Sequence, residues 1–335
     1  MEDLSFAKMD PAAKAAITAG VRKFAGLATD AILDPVTYVF KDPKVEGFIP
    51  YRRAGKVFVV FGDPVCSVED KLFLAKAFRE FARKERKEVI YVIASHLFAH
   101  TLVKNVGGAL MELANEMIFD PICDPRQEVG ALGSLVRRKV KQAQKELTIE
   151  EYVGDDPLLE KAIENIGDRW LEKRKGPQVH ISNIYLFENR VGKRWFYAIK
   201  GKEVVGVILL NELQSHKGYL LNHLMVTPEA PHGTPEYLVV AALEALSKEG
   251  CRFATVGAVP RSEIGEVFGL HPFSKWFVKL GLWIVRKVSP IEGLFTFWKK
   301  FHPQSQPCYL VLSRTKLGVK EVLGLKRAFT VGPTK

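Results

Sequence analysis

Residues 56–61 (KVFVVF) form a β-rich run closed by Gly62-Asp63-Pro64. Ser67 then opens an amphipathic segment running to about Arg86, with Phe73, Ala77, Phe78 and Phe81 on one stripe. A buried-type strand that feeds a helix, with a further strand over Val89–Ala94, commits this part of the chain to a layered α+β unit. A helix around Leu97–Lys104 and a strand near Met117–Asp120 follow, and residues 130–146 form a basic helix poor in large apolar side chains. From Leu147 the plan restarts. It offers a strand (Thr148–Tyr152), a helix (about Asp156–Lys173) and three antiparallel-type strands, Trp195–Lys200, Glu203–Leu213 and Tyr219–Thr227, the first two joined by a hairpin at Gly201-Lys202. A helix over Thr234–Ser247, a strand over Cys251–Val256, aromatic-rich helices and a last strand, Pro307–Leu312, complete it. Asp10 and Pro11 start a helix over 11–29. The expected organisation is an N-terminal helix (1–34), one α+β unit (35–129), a basic connecting helix (130–146) and a second unit of similar plan (147–335).

The chain's 335 residues exceed what one core fills, about 250–300 residues, which agrees with two units. Hydrophobic residues at 47% and charged ones at 26% exclude disorder as the main state. The excess of 49 Lys and Arg over 38 Asp and Glu, +11, points to an anionic partner such as RNA, phospholipid or a phosphate ester. Cys66, Cys123, Cys251 and Cys308 lie far apart with no zinc-ligand spacing, so a reduced, cytosolic chain without a metal is expected. MEDLSFAKMD has no signal-peptide pattern, and no apolar run reaches the roughly 18–20 residues that cross a bilayer. The longest candidate, Trp276–Val288, is interrupted by Lys279, Arg286 and Lys287. A soluble or peripheral protein is expected.

Leu220–Leu238 (LLNHLMVTPEAPHGTPEYL) is a strand, a loop and a helix start. Acetyl-CoA-using acyltransferases employ that arrangement to seat a pyrophosphate on backbone N–H groups. Here Pro235 removes a donor and Glu236 adds a negative charge, and both argue against CoA. The same geometry suits a cation, such as the α-amino group of an aminoacyl ester. Taken alone, Thr234-Pro235-Glu236 reads more readily as a plain helix cap, with Thr234 at the N-cap and Pro235 at the first helical position.

Gly62-Asp63-Pro64-Val65, the basic helix with Arg137, Arg138, Lys139, Lys141 and Lys145, Leu224-Met225 followed by Pro228, Ala230-Pro231-His232-Gly233 and Glu236, Val256-Gly257-Ala258-Val259-Pro260, and Phe297-Trp298-Lys299-Lys300-Phe301 with Pro307–Tyr309 occur in one order and spacing. Over about residues 35–315 they resemble the catalytic domain of lysylphosphatidylglycerol synthases. The resemblance implies a tandem of two acyltransferase (GNAT-like) folds joined by the basic helix. It implies transfer of an amino acid from aminoacyl-tRNA, as co-substrate, to a hydroxyl of a membrane lipid, phosphatidylglycerol or a related one, with no cofactor and no metal. It also places the protein in the cytoplasm, peripheral at the inner face of an anionic membrane. This chain has Val226 where the family usually has Arg after Leu-Met, and Glu236 where it has Asp; the HGTPE form is closer to domains that aminoacylate sterols. The flippase domain that bacterial synthases carry ahead of the catalytic domain is not among these residues.

By this resemblance Glu236, His232 and Arg261 are candidates for catalysis, and Asp63, Asn222, Met225, Gly233, Thr234, Gly257, Lys300 and Tyr309 for substrate binding. Arg137, Arg138, Lys139, Lys141 and Lys145 are candidates for tRNA, since no acid separates them; a solvated surface helix is the alternative. His232 is suited to polarising the ester or moving a proton, and Arg261 to stabilising an oxyanion or gripping the tRNA 3′ end. Asp63-Pro64 also suits a plain turn, the favoured assignment for Asp63. An aminoacyl ester is already activated, so no covalent nucleophile is needed. The aromatics of 272–301, among them Phe273, Trp276, Phe277, Trp283, Phe295, Phe297, Trp298 and Phe301, lie beside lysines and arginines and suit either core packing or a membrane interface. Two other functions fit the same sequence: an acyl-CoA or aminoacyl transferase acting on a peptide or small amine, and a non-catalytic RNA- or membrane-binding protein.

Overall fold

In the computed structural model, which describes residues 3–172, 184, 186–261, 263–274, 278 and 291–329, the run at 56–61 is one strand of a large mixed sheet. The N-terminal part supplies β1 (Asp3–Ser5), β2 (Tyr38–Phe40), β3 (Gly47–Ala54), β4 (Val57–Phe61), β5 (Val65–Cys66), β6 (Glu88–Ser95) and β7 (Ala109–Phe119). The rest supplies β8 (Thr148–Glu151), β9 (Lys193–Lys200), β10 (Glu203–Leu213), β11 (Gly218–Val226), β12 (Ala254–Pro260), β13 (Val267–Phe268) and β14 (Gln304–Leu312). The order is β1-β2-β3-β4-β6-β14-β7-β12-β11-β10-β9-β8, with β5 paired to β3 and β13 to β7. Two neighbouring pairs are parallel, β4 with β6 and β11 with β12; the others are antiparallel.

Helices cover both faces: α1 (Pro11–Phe24), α2 (Lys71–Lys84), α3 (His96–Val106), α4 (Ala131–Ala143), α5 (Pro157–Glu172), α6 (Thr234–Lys248), α7 (Ile291–Lys299) and α8 (Val319–Phe329). Coverage on both faces is why β4 (VFVVF) is apolar throughout and buried at every position. One core cluster joins α1 and α8 to this half of the sheet, and a second joins α2 and α3 to the opposite face. In the other half, α4 and α6 share a cluster with Phe196, Ile208 and Leu221, while α5 packs on Val207, Leu209 and Met225.

The two expected units thus share one sheet. β14, from the end of the chain, lies between β6 and β7 and bonds to both, and α8 packs on β3 and β4. Nor does α4 stand free as a connector. Gly133, Val136, Val140 and Ala143 are buried, and this small-residue stripe lets it lie against α6. The strand expected near Met117–Asp120 runs over Ala109–Phe119, because Glu112, Asn115 and Glu116 break its apolar pattern without breaking the ladder. Phe73 is 43% exposed, whereas Leu74, Ala75, Phe78 and Ala82 form the buried stripe of α2. Ser67 does not cap α2; Asp70 holds the N-cap position, and the Ser67 hydroxyl bonds to its carboxylate at 2.9 Å. Thr234 is not the N-cap of α6 either. Gly233 is, and the buried Thr234 hydroxyl donates 2.6 Å to the Pro231 carbonyl. Of the aromatic segment, Trp298 and Phe301 are buried against Phe119 and Phe273 is 67% exposed; Trp276, Phe277 and Trp283 lie outside the described residues.

Candidate functional site

The α6 start is built by close contact with α4. Gly233 has φ +94°, and a Cβ there would sit 2.1 Å from the Lys139 carbonyl oxygen, so this position admits only glycine. That contact presses the His232-Gly233 loop onto the basic helix. His232 itself is exposed. One turn into α6, Glu236 points inward, and its Oε1 accepts from Lys300 Nζ at 2.5 Å. Lys300 also lies 4.3 Å over the Phe297 ring. The parallel strands β11 and β12 pair only at Tyr219–Ala254 and Leu220–Thr255 before diverging. Leu224, Val226, Val256, Val259, Trp298 and Phe301 share one core cluster there. Gly257, at φ +75°, forms the bulge that turns β12 away from β11, its N–H donating to the Thr255 hydroxyl at 3.0 Å.

The other parallel pair diverges around a cavity. β4 and β6 are paired from Val57–Glu88 to Phe61–Val92; Ile93 then adopts φ +55°, a strained conformation for a β-branched residue. Beyond it Asp63 accepts from the Ser95 N–H (2.8 Å), the Ser95 hydroxyl (2.7 Å) and Lys71 Nζ (2.8 Å). These groups, with Glu116 of β7 and His216, line a cavity of about 350 Å³. Burial pushes the Glu116 carboxyl up to about 7; the Asp63 charge adds to this and the Thr255 hydroxyl opposes it. Burial lowers His216, and the Lys71 charge lowers it further.

A polar cluster continues from Ser95 into α3. His96 Nδ1 lies 3.0 Å from the Tyr309 hydroxyl, which donates to Glu266 Oε2 at 3.0 Å; His100 Nε2 lies 3.1 Å from the same oxygen. Arg261 pairs with Glu112 and reaches Asn115 Oδ1 at 3.1 Å, while Glu112 Oε2 accepts the Glu266 N–H at 3.0 Å. Burial, then the bond to Glu266, raises the Tyr309 phenol well above its usual range, so it stays a protonated donor.

The expected site residues therefore fall into separate groups. Glu236, Lys300, Gly233, Thr234 and Lys139 meet at the α4–α6 corner. Arg261 and Tyr309 meet through Glu112 and Glu266, and Asp63 adjoins them through Ser95. Met225 packs into the core under α5 and Asn222 is half-buried on β11. Arg138 and Lys141 on α4, and Lys145 in the turn after it, since the helix expected over 130–146 ends at Ala143, are exposed and pair with no carboxylate among the described residues; Arg137 Nη1 turns back onto the carbonyls of Arg126 (2.5 Å) and Glu128 (3.0 Å). Sequence reasoning passed over Glu112, Glu116, His96 and Glu266. The available signal was the pair of acids inside an otherwise apolar strand. Burial pushes Cys66 and Cys308 both up to about 12, which makes them poor nucleophiles. No group of three His, Cys, Asp or Glu is arranged for a metal among the described residues.

Residues 23–312 match the family model described as phosphatidylglycerol lysyltransferase, C-terminal. The chain belongs to this family. Membership makes it an aminoacyltransferase of the lysylphosphatidylglycerol synthase type. The fold agrees. A structure named as the C-terminal domain of a lysylphosphatidylglycerol synthetase from Agrobacterium fabrum is similar with TM-score 0.77 and 19% identity, covering 95% of this chain and 96% of that one. L-PGS from Bacillus licheniformis gives TM-score 0.76 and 17% identity over 96% and 98%. FemX gives 0.54 and 11% over 93% and 97%. No curated protein matches the chain. Among the described residues of this family member, no helix is long and apolar enough to cross a membrane.

Proposed function

We propose that the protein transfers the amino acid of an aminoacyl-tRNA to a hydroxyl of a membrane lipid, phosphatidylglycerol or a related lipid. The observation that carries the tRNA assignment is the face of α4. Arg138 and Lys141, with Lys145 in the turn that follows the helix, are exposed and have no internal counter-ion among the described residues, on a helix whose Lys139 backbone meets the His232-Gly233 loop. Like charges on one helix repel unless an anion lies along them, and a nucleic-acid backbone supplies that anion. Family membership supports the reaction class.

In the exchange, the bond between the aminoacyl carbonyl carbon and the tRNA ribose oxygen breaks, a new ester bond to the lipid oxygen forms, and the lipid hydroxyl proton passes to the ribose oxygen. The donor is activated, so the protein's task is positioning and proton movement, with no cofactor or metal. Pro235 at the α6 start removes a backbone donor that the pyrophosphate of CoA would use. The parallel pairs β4/β6 and β11/β12 support two acyltransferase-type units on either side of α4, with β14 lying in the first. Exposed Leu97 and Phe268, on segments tied together by the His100–Glu266 contact, support peripheral docking at the inner face of an anionic membrane.

The test is incubation with total charged tRNA bearing labelled amino acids and total lipid. Alkali-labile labelled lipid that disappears after RNase treatment is the expected result. Label transfer that depends on acyl-CoA and resists RNase would overturn the proposal.

A further inference from the structure

The cavity at the diverging ends of β4 and β6 is not explained by packing. Phe24, Leu27 and Ile93 give it apolar walls, and about 350 Å³ is room for a ligand of amino-acid size. Its charges are unbalanced. The Asp63 carboxylate is already satisfied by Ser95 and by Lys71, so that pair is neutral as a unit. His216, lowered by burial and by Lys71, adds no positive charge at neutral pH. Glu116 remains, facing the cavity from the middle of β7, and no Lys, Arg or His pairs with it among the described residues. A half-buried carboxylate without a cation is costly, and the geometry leaves space for the cation to come from outside.

We infer that this cavity binds a primary ammonium group, with the Glu116 carboxylate as its counter-ion and the apolar walls holding the attached carbon chain. Its occupant in the reaction is the ammonium group of the amino acid being transferred, a part of the inference that rests on the function proposed above. The Asp63–Lys71 pair adds no net charge, so the ionised Glu116 is what disfavours an anionic ligand, and a neutral ligand would leave it uncompensated. Around Glu116, Asp63 is paired with Lys71, burial pushes the Cys66 and Cys308 thiols both up to about 12, so they stay protonated, and burial, with the Lys71 charge, lowers His216. Glu116, at about 7, is the group that changes charge between pH 6 and pH 8.

The probe is n-butylamine, cationic throughout that range, titrated calorimetrically into the 335-residue chain. Its affinity should rise about tenfold from pH 6 to pH 8, as an acid of this strength passes from mostly protonated to mostly ionised. Glu116→Gln should weaken it at least about tenfold at pH 8 and flatten the pH profile, and N-butylacetamide should not bind. Equal binding by the Gln variant, or by the acetamide, would overturn the site. Failure of the site and failure of the function are separable. Binding lost in Glu116→Gln with no lipid labelling from charged tRNA supports the site and sinks the function. Labelling that proceeds in Glu116→Gln with unchanged KM for aminoacyl-tRNA sinks the assigned occupant and leaves the function standing.

Discussion

Lys300 Nζ lies 2.5 Å from Glu236 Oε1, and the two side chains are 13% and 8% exposed. The acid that the sequence places where a pyrophosphate would bind is therefore neutralised by a lysine 64 positions later. Removing one partner strands the other charge. Lys300→Met should cost about 3 kcal/mol in urea denaturation, and Glu236→Gln combined with Lys300→Met should recover most of it. The double variant is also expected to fold and to lose transfer; retained transfer would show the pair to be purely structural.

Charge reversal on α4 and the turn after it should act on tRNA and not on the fold. Arg138, Lys141 and Lys145 changed together to Glu should reduce the slope of log K against log salt by roughly 2 to 3, at 0.7–0.9 per phosphate contact. Arg137→Gln should behave differently, lowering the melting temperature more than the slope, because its guanidinium holds the Arg126 and Glu128 carbonyls.

Tyr309→Phe removes the hydroxyl that joins His96 to Glu266. The expected loss is about 1 kcal/mol per hydrogen bond. Because the phenol sits far above its usual range, it contributes no limb to a pH–rate profile between pH 6 and 9. The variant should lower the profile without changing its shape, and the disappearance of an alkaline limb would contradict this.

Glu116 links stability to pH with a definite sign. Its folded-state value, about 7, lies above that of an unfolded Glu, so its stabilising contribution is present at acid pH and is lost as pH rises through 7. Glu116→Gln should gain on the wild type between pH 4 and pH 8, by on the order of 2 kcal/mol. Parallel stability curves over that range would show the carboxyl to be solvated.

Glu88 has the opposite sign. Hydrogen bonds from Arg314, first, and Ser313 hold its carboxyl below the usual range against the effect of burial. Its contribution is present above the unfolded value and is lost as pH falls through the folded one. Glu88→Gln should destabilise the protein at pH 7 by less than about 1 kcal/mol, because the pair is partly exposed, and converge with the wild type in acid.

Much of the local structure was legible. Asp10 caps α1 as expected, accepting the Ala13 N–H at 2.7 Å, and Gly201, at φ +61°, turns the β9–β10 hairpin. Along the sequence β7 reads as a shorter strand, because Glu112 and Glu116 look like breaks in an apolar run. They are tolerated mid-strand because one pairs with Arg261 and the other faces a cavity. The cap of α6 was misplaced by one residue for a nonlocal reason: Gly233, not Thr234, meets the α4 backbone.

Most elements, the basic face of α4 and the family resemblance are readable along the chain, because periodicity, caps and charge runs are set by residues a few positions apart. Long-range packing brings β14 between β6 and β7, and with it Tyr309 to a His96 213 positions away. The same packing placed Lys300 on Glu236 and left Glu116 facing the cavity without a cation among the described residues. Strand order follows from which arrangement buries the most apolar surface while pairing most buried polar groups, a sum over the whole chain that no single segment contains.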